Sequence, residues 1–376
     1  MKITLKRTDE QIELVKAMAS KNRDVAYEAQ MALAEFIGPV LAEVVNQAPT
    51  LSNMFTNFTF NENESPSIPL DLYYDITAPD YVKVYSASQP GGMPTNTVTP
   101  TASEMKFSTY RLDSAVDFEK RYAAQSRMDV VSKSFTRVAQ EIMLKQEDTS
   151  ASLILGSLIG ASTNGKKHVN LAAGTSIILD DFNKLLTLAK RINTAWTGGT
   201  PENRIKGITD LVVSPEVVQG LREMAYNPIN TKGGRGDANA GNAKTAFPVA
   251  ATDEMRNAIY ANAGIPEFYG ISIMEINELG PNQKFTKVYE ALGGEFGNSS
   301  GTFDATADDI VLGIDKSRES LFRAVATDSE TGGEFSLVAD DQYSVRQQKI
   351  GYFGSLEEGR MVLDDRVLTG LAIDAA

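Results

Sequence analysis

The sequence has no cysteine and only one histidine, and each scarcity removes a class of protein. Without cysteine there are no disulfides, no thiolate metal ligands and no catalytic thiol. A single imidazole excludes the zinc motifs that need paired histidines. Most hydrolase and metalloenzyme chemistries are therefore excluded, and neither a cofactor nor a metal site is predicted.

Basic residues and long apolar runs are also scarce. Lysine and arginine number 36 against 49 aspartates and glutamates, a formal net charge of −13. A surface of that sign repels phosphate backbones, so specific nucleic-acid binding is not expected. The apolar runs are short and no secretory signal pattern follows Met1, so neither a membrane span nor export is expected. The 376 residues, 42% of them hydrophobic, predict two or three domains with ordinary cores.

The N-terminal segment has the period of amphipathic helices. Thr8 and Gln11 form a capping box before apolar residues at helical spacing, so a helix is predicted to begin there. A second apolar stripe runs over 33–44 and contains Gly38-Pro39, which are expected to kink or divide it. Residues 1–58 are therefore predicted to form a helical arm.

After the arm, the hydrophobic period changes from that of a helix to that of a strand. Apolar residues alternate from Ile68 to Ile76, a Pro-Gly-Gly turn follows at 90–92, and a threonine-rich stretch returns towards Tyr110. This pattern predicts a long hairpin over 59–112. Because a two-stranded hairpin is at best marginally stable alone in water, it must gain stability on another surface.

A long helix is predicted next. Ser126 and Asp129 precede an apolar stripe that includes Val138 and continues to about Leu155. At 1.5 Å per residue such a helix is about 40 Å long, which is long for an isolated globular helix.

The remainder of the chain alternates between helix and strand patterns. A helix is expected to begin at Asp180-Asp181, and a strand at 211–213 is expected to lead into a helix with Ser214 at its N-cap and Pro215 in its first turn. A mobile glycine-rich loop is predicted at 227–247. Further predicted elements are a helix at 252–264 and strands at 271–277, 285–291, 309–314, 335–339, 344–353 and 360–372.

Two motifs in the predicted loop region at 156–168 point to chemistry but lack its context. Gly160 to Lys166 has the spacing of a phosphate-binding loop, yet a helix precedes it and Lys167 stands where serine or threonine should hold magnesium. His168 follows two lysines and is expected at the surface rather than in a catalytic triad. Both motifs are therefore predicted to belong to an ordinary loop.

Other short motifs are also interpreted as structural. Arg235-Gly236-Asp237 falls in the glycine-rich loop, and Gly293 to Gly297 has no helix pattern after it. Paired aspartates stand at element boundaries, where caps and turns are commoner than acid/base pairs. No catalytic, cofactor-binding or metal-binding residue is predicted, and no enzymatic activity is expected. The aspartate pairs are Asp180-Asp181, Asp308-Asp309, Asp340-Asp341 and Asp364-Asp365.

The order of these elements resembles that of the major capsid proteins of tailed bacteriophages with the HK97-like fold. Asp210 to Pro215 followed by Leu221-Arg222 is similar to the strand-then-helix segment of their A-domains, and the ending from Val345 to Leu368 is similar to their closing strands. The resemblance implies an α+β fold. Its parts would be the N-terminal helical arm at 1–58, the extended β-hairpin or E-loop at 59–112, the P-domain with a long spine helix at 113–178 and 342–376, and the α/β A-domain at 179–341.

The resemblance also implies a function. The chain would self-assemble into the pentamers and hexamers of an icosahedral head that encloses double-stranded DNA. Its partners would be further copies of itself, a portal, a decoration protein and a separate scaffolding protein, the last because the arm begins almost at Met1. The expected location is the virion, after assembly in the host cytoplasm. Two alternatives stay open: an encapsulin-type shell of a cellular compartment, and an acidic cytoplasmic α/β enzyme that binds a phosphate ligand at 156–168.

Overall fold

The structure is a computed structural model in which helices and sheets are mixed, as the predicted α+β class requires. The predicted glycine-rich loop, the predicted helix at 252–264 and most of the predicted hairpin lie outside the residues that it describes, and so do Arg235-Gly236-Asp237 and Asp341. The described residues are 8–47, 50–61, 64–69, 104–106, 108–197, 207–226, 267–268, 270–299, 301–327, 334–340 and 347–374.

The described elements follow one another in this order. The helices are α1 (Asp9–Ala17), α2 (Arg23–Gln47), α3 (Lys120–Ala124), α4 (Met128–Gly160), α5 (Leu179–Thr197), α6 (Pro215–Tyr226) and α7 (Lys284–Ala291), with 3-10 turns at Leu51–Met54 and Asp365–Val367. The strands are β1 (Thr56–Asn61), β2 (Ser67–Pro69), β3 (Glu104–Lys106), β4 (Tyr110–Glu119), β5 (Ser162–Thr163), β6 (Lys166–Lys167), β7 (Val169–Leu171), β8 (Asp210–Val213), β9 (Glu267–Phe268), β10 (Ile271–Glu275), β11 (Asp309–Ile314), β12 (Leu321–Thr327), β13 (Ser336–Asp340), β14 (Lys349–Val362) and β15 (Leu368–Ile373). None of the described helices is both long and apolar enough to cross a membrane.

The chain divides into two compact units, and each unit collects separated stretches of sequence. Unit 1 contains Met1–Ile68, Lys106–Ser150 and Phe322–Met361. Unit 2 contains Pro69–Met105, Ala151–Leu321 and Val362–Ala376. The predicted arm falls within unit 1, and the predicted domain ranges stay a prediction.

Unit 1 is built on a sheet in the order β1-β12-β14-β13, in which β4 also pairs with β14. β4 runs antiparallel to β14 from the pair Lys349↔Glu119 to the pair Glu358↔Tyr110. β1 is parallel to β12. The long strand β14 therefore organises the sheet, because it has neighbours on both sides.

Helices α1, α2 and α4 share one hydrophobic core in unit 1. Leu33, Ile37 and Leu41 form the buried stripe of α2. Phe135 of α4 meets the ring of Tyr352 in β14 edge-on, with ring centroids 5.1 Å apart. The described N-terminal helices thus pack into the core of unit 1.

Helix α2 continues through Gly38 and Pro39, so these residues do not divide the stripe, and the alternative expectation that they kink it stays a prediction. A proline in a helix interior removes one backbone hydrogen bond and costs about 3 kcal/mol. Leu33 and Ile37 before the proline and Leu41 after it are all buried. Burial of three such side chains, at roughly 2 kcal/mol each, offsets the cost.

Unit 2 holds a six-stranded sheet in the order β7-β15-β11-β8-β10-β9. β8 is parallel to β10, whereas β11 is antiparallel to both β8 and β15. Every residue of β11 is buried, as expected for a central strand. Phe182 and Leu185 of α5 and Leu221 of α6 pack in the core of this unit. The helix at Asp180-Asp181 and the strand that precedes Ser214 form as predicted.

Residues 285–291 are predicted as a strand, but the structure forms helix α7 there. Phe285 and Tyr289 are four residues apart, which is about one helical turn, and both are buried. Burying both side chains on one face therefore favours a helix over a strand. The aromatic and β-branched composition favours strands and hides this period. Two boundaries also differ: α4 extends to Gly160, and the strands predicted from residue 344 onward form as β14 and β15.

Replacing Val138 by aspartate should severely destabilise unit 1. Val138 is 5% exposed in the core-facing stripe of α4, and an unpaired buried carboxylate costs about 3–5 kcal/mol. The measurement is the free energy of unfolding in urea, followed by circular dichroism. Gln140→Asp adds the same charge at an exposed position of α4 and should change that free energy by less than about 0.5 kcal/mol. Equal losses in the two variants would contradict the packing of α4.

Candidate functional site

Within the stretch from Gly160 to Lys166, Gly160 ends α4 and the residues from Ser162 onward form a tight β-hairpin. β5 pairs with β6, with Ser162 opposite Lys167. Asn164 and Gly165 both have positive φ, 53° and 75°, as a two-residue hairpin turn requires. The glycine that completes the phosphate-loop spacing therefore serves the turn.

His168 is fully buried, so the prediction of a surface position is wrong. Its Nε2 lies 2.8 Å from the hydroxyl of Thr163, and its Nδ1 lies 3.1 Å from the carbonyl oxygen of Leu368. Burial lowers the pKa of His168. The imidazole is therefore neutral at pH 7, with Nδ1–H donating to the carbonyl and Nε2 accepting from the threonine.

The surroundings of His168 explain both the wrong prediction and the absence of a triad there. The adjacent Lys167 misleads, because successive side chains of an extended segment point to opposite sides. Both oxygens bonded to Nδ1, those of Leu368 and Asp365, are backbone carbonyls. A catalytic triad instead needs a carboxylate to orient the imidazole.

The paired aspartates act mainly as caps and turn residues. Asp364 is the N-cap of a 3-10 turn and accepts from the backbone N–H of Arg366. Asp308 accepts from the backbone N–H of Asp304 at 2.7 Å. Within the part of the chain that the structure describes, no three histidine or acidic side chains group closely enough to hold a metal ion.

Asp309 differs from the other paired aspartates. It is 4% exposed and accepts a hydrogen bond from the hydroxyl of Ser214. That hydroxyl in turn accepts from the backbone N–H of Val217 at 3.2 Å, so Ser214 caps α6 as predicted. Burial raises the pKa of Asp309 to about 6. The sequence identifies the cap but not its carboxylate partner, because the two are 95 residues apart.

Asp309→Asn should remove one component of the pH dependence of stability. The pKa of Asp309 is about 6 in the fold against an ordinary value of 3.8, so the folded state holds the proton more tightly. Its stabilising contribution is complete below pH 4 and is lost as pH rises through 6, by roughly 3 kcal/mol. Asparagine has the same shape and does not titrate.

The measurement is the free energy of urea unfolding at pH 4.5 and pH 7.5 for the wild type and for Asp309→Asn. The wild type should lose more stability than the variant between these two pH values. The same pH dependence in both proteins would contradict the assignment.

A second buried polar group lies in unit 1 around Glu358, which is completely buried in β14. Nε of Arg323 lies 2.8 Å from its Oε2, and Nε of Arg360 lies 3.3 Å from its Oε1. The hydroxyl of Tyr110 donates to Oε1 at 2.7 Å, and the amide of Gln146 donates to Oε2 at 3.0 Å. We refer to these five residues as the Glu358 cluster.

The Glu358 cluster is charged, saturated and structural. Burial alone would raise the pKa of Glu358, but Arg360 and Arg323 together hold it below its ordinary value. Burial, followed by the nearby carboxylate, raises the pKa of Tyr110 to about 12, so the phenol keeps its proton. With four side chains donating to its two oxygens, the carboxylate has no capacity left to act as a base.

Large exposed apolar side chains concentrate on α2. Of the eight among the described residues, four lie on this helix. Val25, Phe36 and Val40 fall within about 60° of one another around the helix axis, at the border of its buried stripe. Phe36 is 56% exposed. We refer to these three residues as the α2 surface; a row of apolar side chains on one face is typical of an interaction site.

No protein-family model matches the sequence, and none of the curated proteins matches it. Solved structures do match. The chain is similar to the capsid of the cyanophage P-SCSP1u at 14% identity and a TM-score of 0.48, covering 85% of this chain and 86% of that chain. It is similar to the capsid of the native GTA particle at 12% identity and a TM-score of 0.46, covering 87% and 90% of the two chains.

A cellular shell is also among the similar structures. The SrpI encapsulin complex of Synechococcus elongatus PCC 7942 matches at 14% identity and a TM-score of 0.40, covering 73% of this chain and 78% of that chain. The similar structures thus include both phage-type capsids and an encapsulin. At identities of 14% or less the similarity concerns the fold alone, and at TM-scores below 0.5 it does not decide the function.

Proposed function

We propose that the chain is a major capsid protein that assembles into the pentamers and hexamers of an icosahedral phage head around double-stranded DNA. The architecture of the described residues carries the proposal. Helix α4, which is 33 residues long, packs with the N-terminal helices on the β4–β14 sheet, and a second unit holds an α/β sheet. β2 and β3, which flank residues 70–103, pair with each other. The resemblance assigns these parts to the P-domain, the A-domain and the base of the E-loop.

The buried polar groups support a structural role. The Glu358 cluster is saturated, His168 bonds to backbone carbonyls and a threonine, and Asp309 bonds to the cap of α6. Each of these groups stabilises the fold of a single chain. A protein whose function is packing contact between copies needs no reactive side chain, and the proposal assigns the chain no catalytic role.

The α2 surface is proposed as a contact between copies. Its residues border a buried stripe, yet they are exposed in the single chain. Association has to exceed the loss of translational and rotational freedom, and buried apolar side chains supply much of the required free energy. A closed shell repeats such contacts by symmetry, so a small contact in each copy contributes many times.

The acidic balance is compatible with a container for DNA. A net charge of −13 repels a phosphate backbone within about a Debye length, so an enclosed genome would not adhere to the wall. The proposal therefore includes no specific DNA binding. It includes a separate scaffolding protein, a portal and a decoration protein as partners, and the virion as location after assembly in the host cytoplasm.

An encapsulin-type shell would share the architecture but enclose enzymes. The two shells differ in gene neighbourhood and contents. Terminase and portal genes beside this one, and DNA in particles from the native source, are the expected findings. A neighbouring gene for a cargo enzyme, with that enzyme inside the particles, would favour the encapsulin alternative.

Phe36→Asp should leave the subunit folded but reduce assembly by at least roughly tenfold, because a charge would be buried at each copy of the proposed contact. The measurement is the fraction of protein in large particles by sedimentation velocity, with circular dichroism to verify folding. Gln140→Asp, which adds the same charge at an exposed position of α4, is the matched control and should assemble like the wild type.

Two results would contradict these proposals. Normal assembly of Phe36→Asp would remove the α2 surface from the contacts between copies. A wild-type protein that sediments only as a small oligomer even in the presence of its scaffolding protein would contradict the shell proposal itself.

A further inference from the structure

The Glu358 cluster holds the chain segment that leads into β1. Nη2 of Arg360 donates to the hydroxyl of Ser52 at 2.7 Å, and the guanidinium of Arg360 lies 5.4 Å from the ring centroid of Phe55. Nη1 of Arg323 donates to the side-chain oxygen of Asn57 at 3.4 Å. Residues 51–61 are therefore attached to both arginines of the cluster.

The same cluster holds the start of β4. Tyr110, the first residue of that strand, donates to Glu358 at 2.7 Å. Just before it, the carbonyl oxygen of Ser108 lies 2.8 Å from where a Cβ on Gly359 would stand, so this approach requires glycine at 359. Residues 108–119 therefore begin directly against the cluster.

Helix α4 also bonds to residues of the cluster. Gln146 donates to Glu358, and Nη1 of Arg360 donates to the hydroxyl of Ser150. In the turn between them, Glu147 accepts from the backbone N–H of Leu51 at 3.0 Å. The two segments that flank residues 62–107 are thus both bonded to the Glu358 cluster, which is itself held by α4 and β14.

We infer that the Glu358 cluster is a shared anchor that couples residues 51–61 to residues 108–119, so that loosening one segment loosens the other. The physical reason is that the first segment bonds to the two arginines of the cluster and the second bonds to its carboxylate. The arginines and the carboxylate are in turn bonded to each other. A buried hydrogen-bonded network responds as a unit when one member is removed. Under the proposed function, force applied to residues 62–107 by a neighbouring subunit would reach α4 and β14 through this anchor. That consequence rests on the proposed function, whereas the coupling does not.

Hydrogen exchange by mass spectrometry on the full-length chain tests the coupling. Tyr110→Phe removes one hydroxyl from the segment 108–119, and Ser52→Ala removes one from the segment 51–61. Each variant should raise the exchange rate in both segments, by roughly tenfold, the factor expected for losing one hydrogen bond to a charged group. The double variant should raise it by less than the product of the two single effects.

Tyr289→Phe is the matched control, because it removes a comparable hydroxyl in unit 2 that donates to the carbonyl oxygen of Glu295 at 2.8 Å. It should leave the exchange rate of both segments unchanged. Faster exchange confined to the mutated segment, or a double variant equal to the product of the single effects, would overturn the inference. A failure of the shell proposal would appear in particle formation and would leave this coupling intact, so the two failures are distinguishable.

Discussion

The burial of the Glu358 carboxylate is the constraint on which unit 1 depends. A charge removed from water costs several kcal/mol unless it is paired and hydrogen-bonded with good geometry. Arg323 and Arg360 satisfy that condition. Arg360 lies on β14 with Glu358, whereas Arg323 reaches the carboxylate only when β12 lies in the sheet with β14. The guanidinium groups in turn need Ser52, Ser150 and the other acceptors around them. The apolar core of unit 1 tolerates related packings, whereas this cluster is satisfied by one arrangement.

Unit 2 depends on polar groups in a different way. Its six-stranded sheet has an apolar centre, and the buried polar side chains are single groups at element ends. His168 joins a hairpin to the start of β15, and Asp309 joins the start of β11 to the cap of α6. Burial shifts the pKa values of the two residues in opposite directions: the pKa of the imidazole falls and that of the carboxyl rises. These contacts fix connections between elements.

Local signals in the sequence predicted those elements whose causes are local. Ser214 followed by Pro215 carries a cap and a first turn within a few residues, and α6 begins there. Residues 285–291 were wrongly predicted as a strand because their composition favours strands. Their helical spacing becomes evident only from the burial of Phe285 and Tyr289. The Glu358 cluster could not be predicted, since Tyr110 and Glu358 are 248 residues apart and nothing near either of them marks the other. The burial of His168 could not be predicted for the same reason, because its hydrogen-bond partner Leu368 is 200 residues away.

The buried polar groups fix the fold of a single chain, and the central claim is that the exposed apolar residues of α2 contact other copies in a closed shell. Electron microscopy, in negative stain, of the wild-type protein expressed together with its scaffolding protein tests that claim most directly. Closed, uniform particles on the order of tens of nanometres across are the predicted result, as repeated symmetric contacts require. A field of small single molecules at high protein concentration in the presence of the scaffolding protein would contradict it.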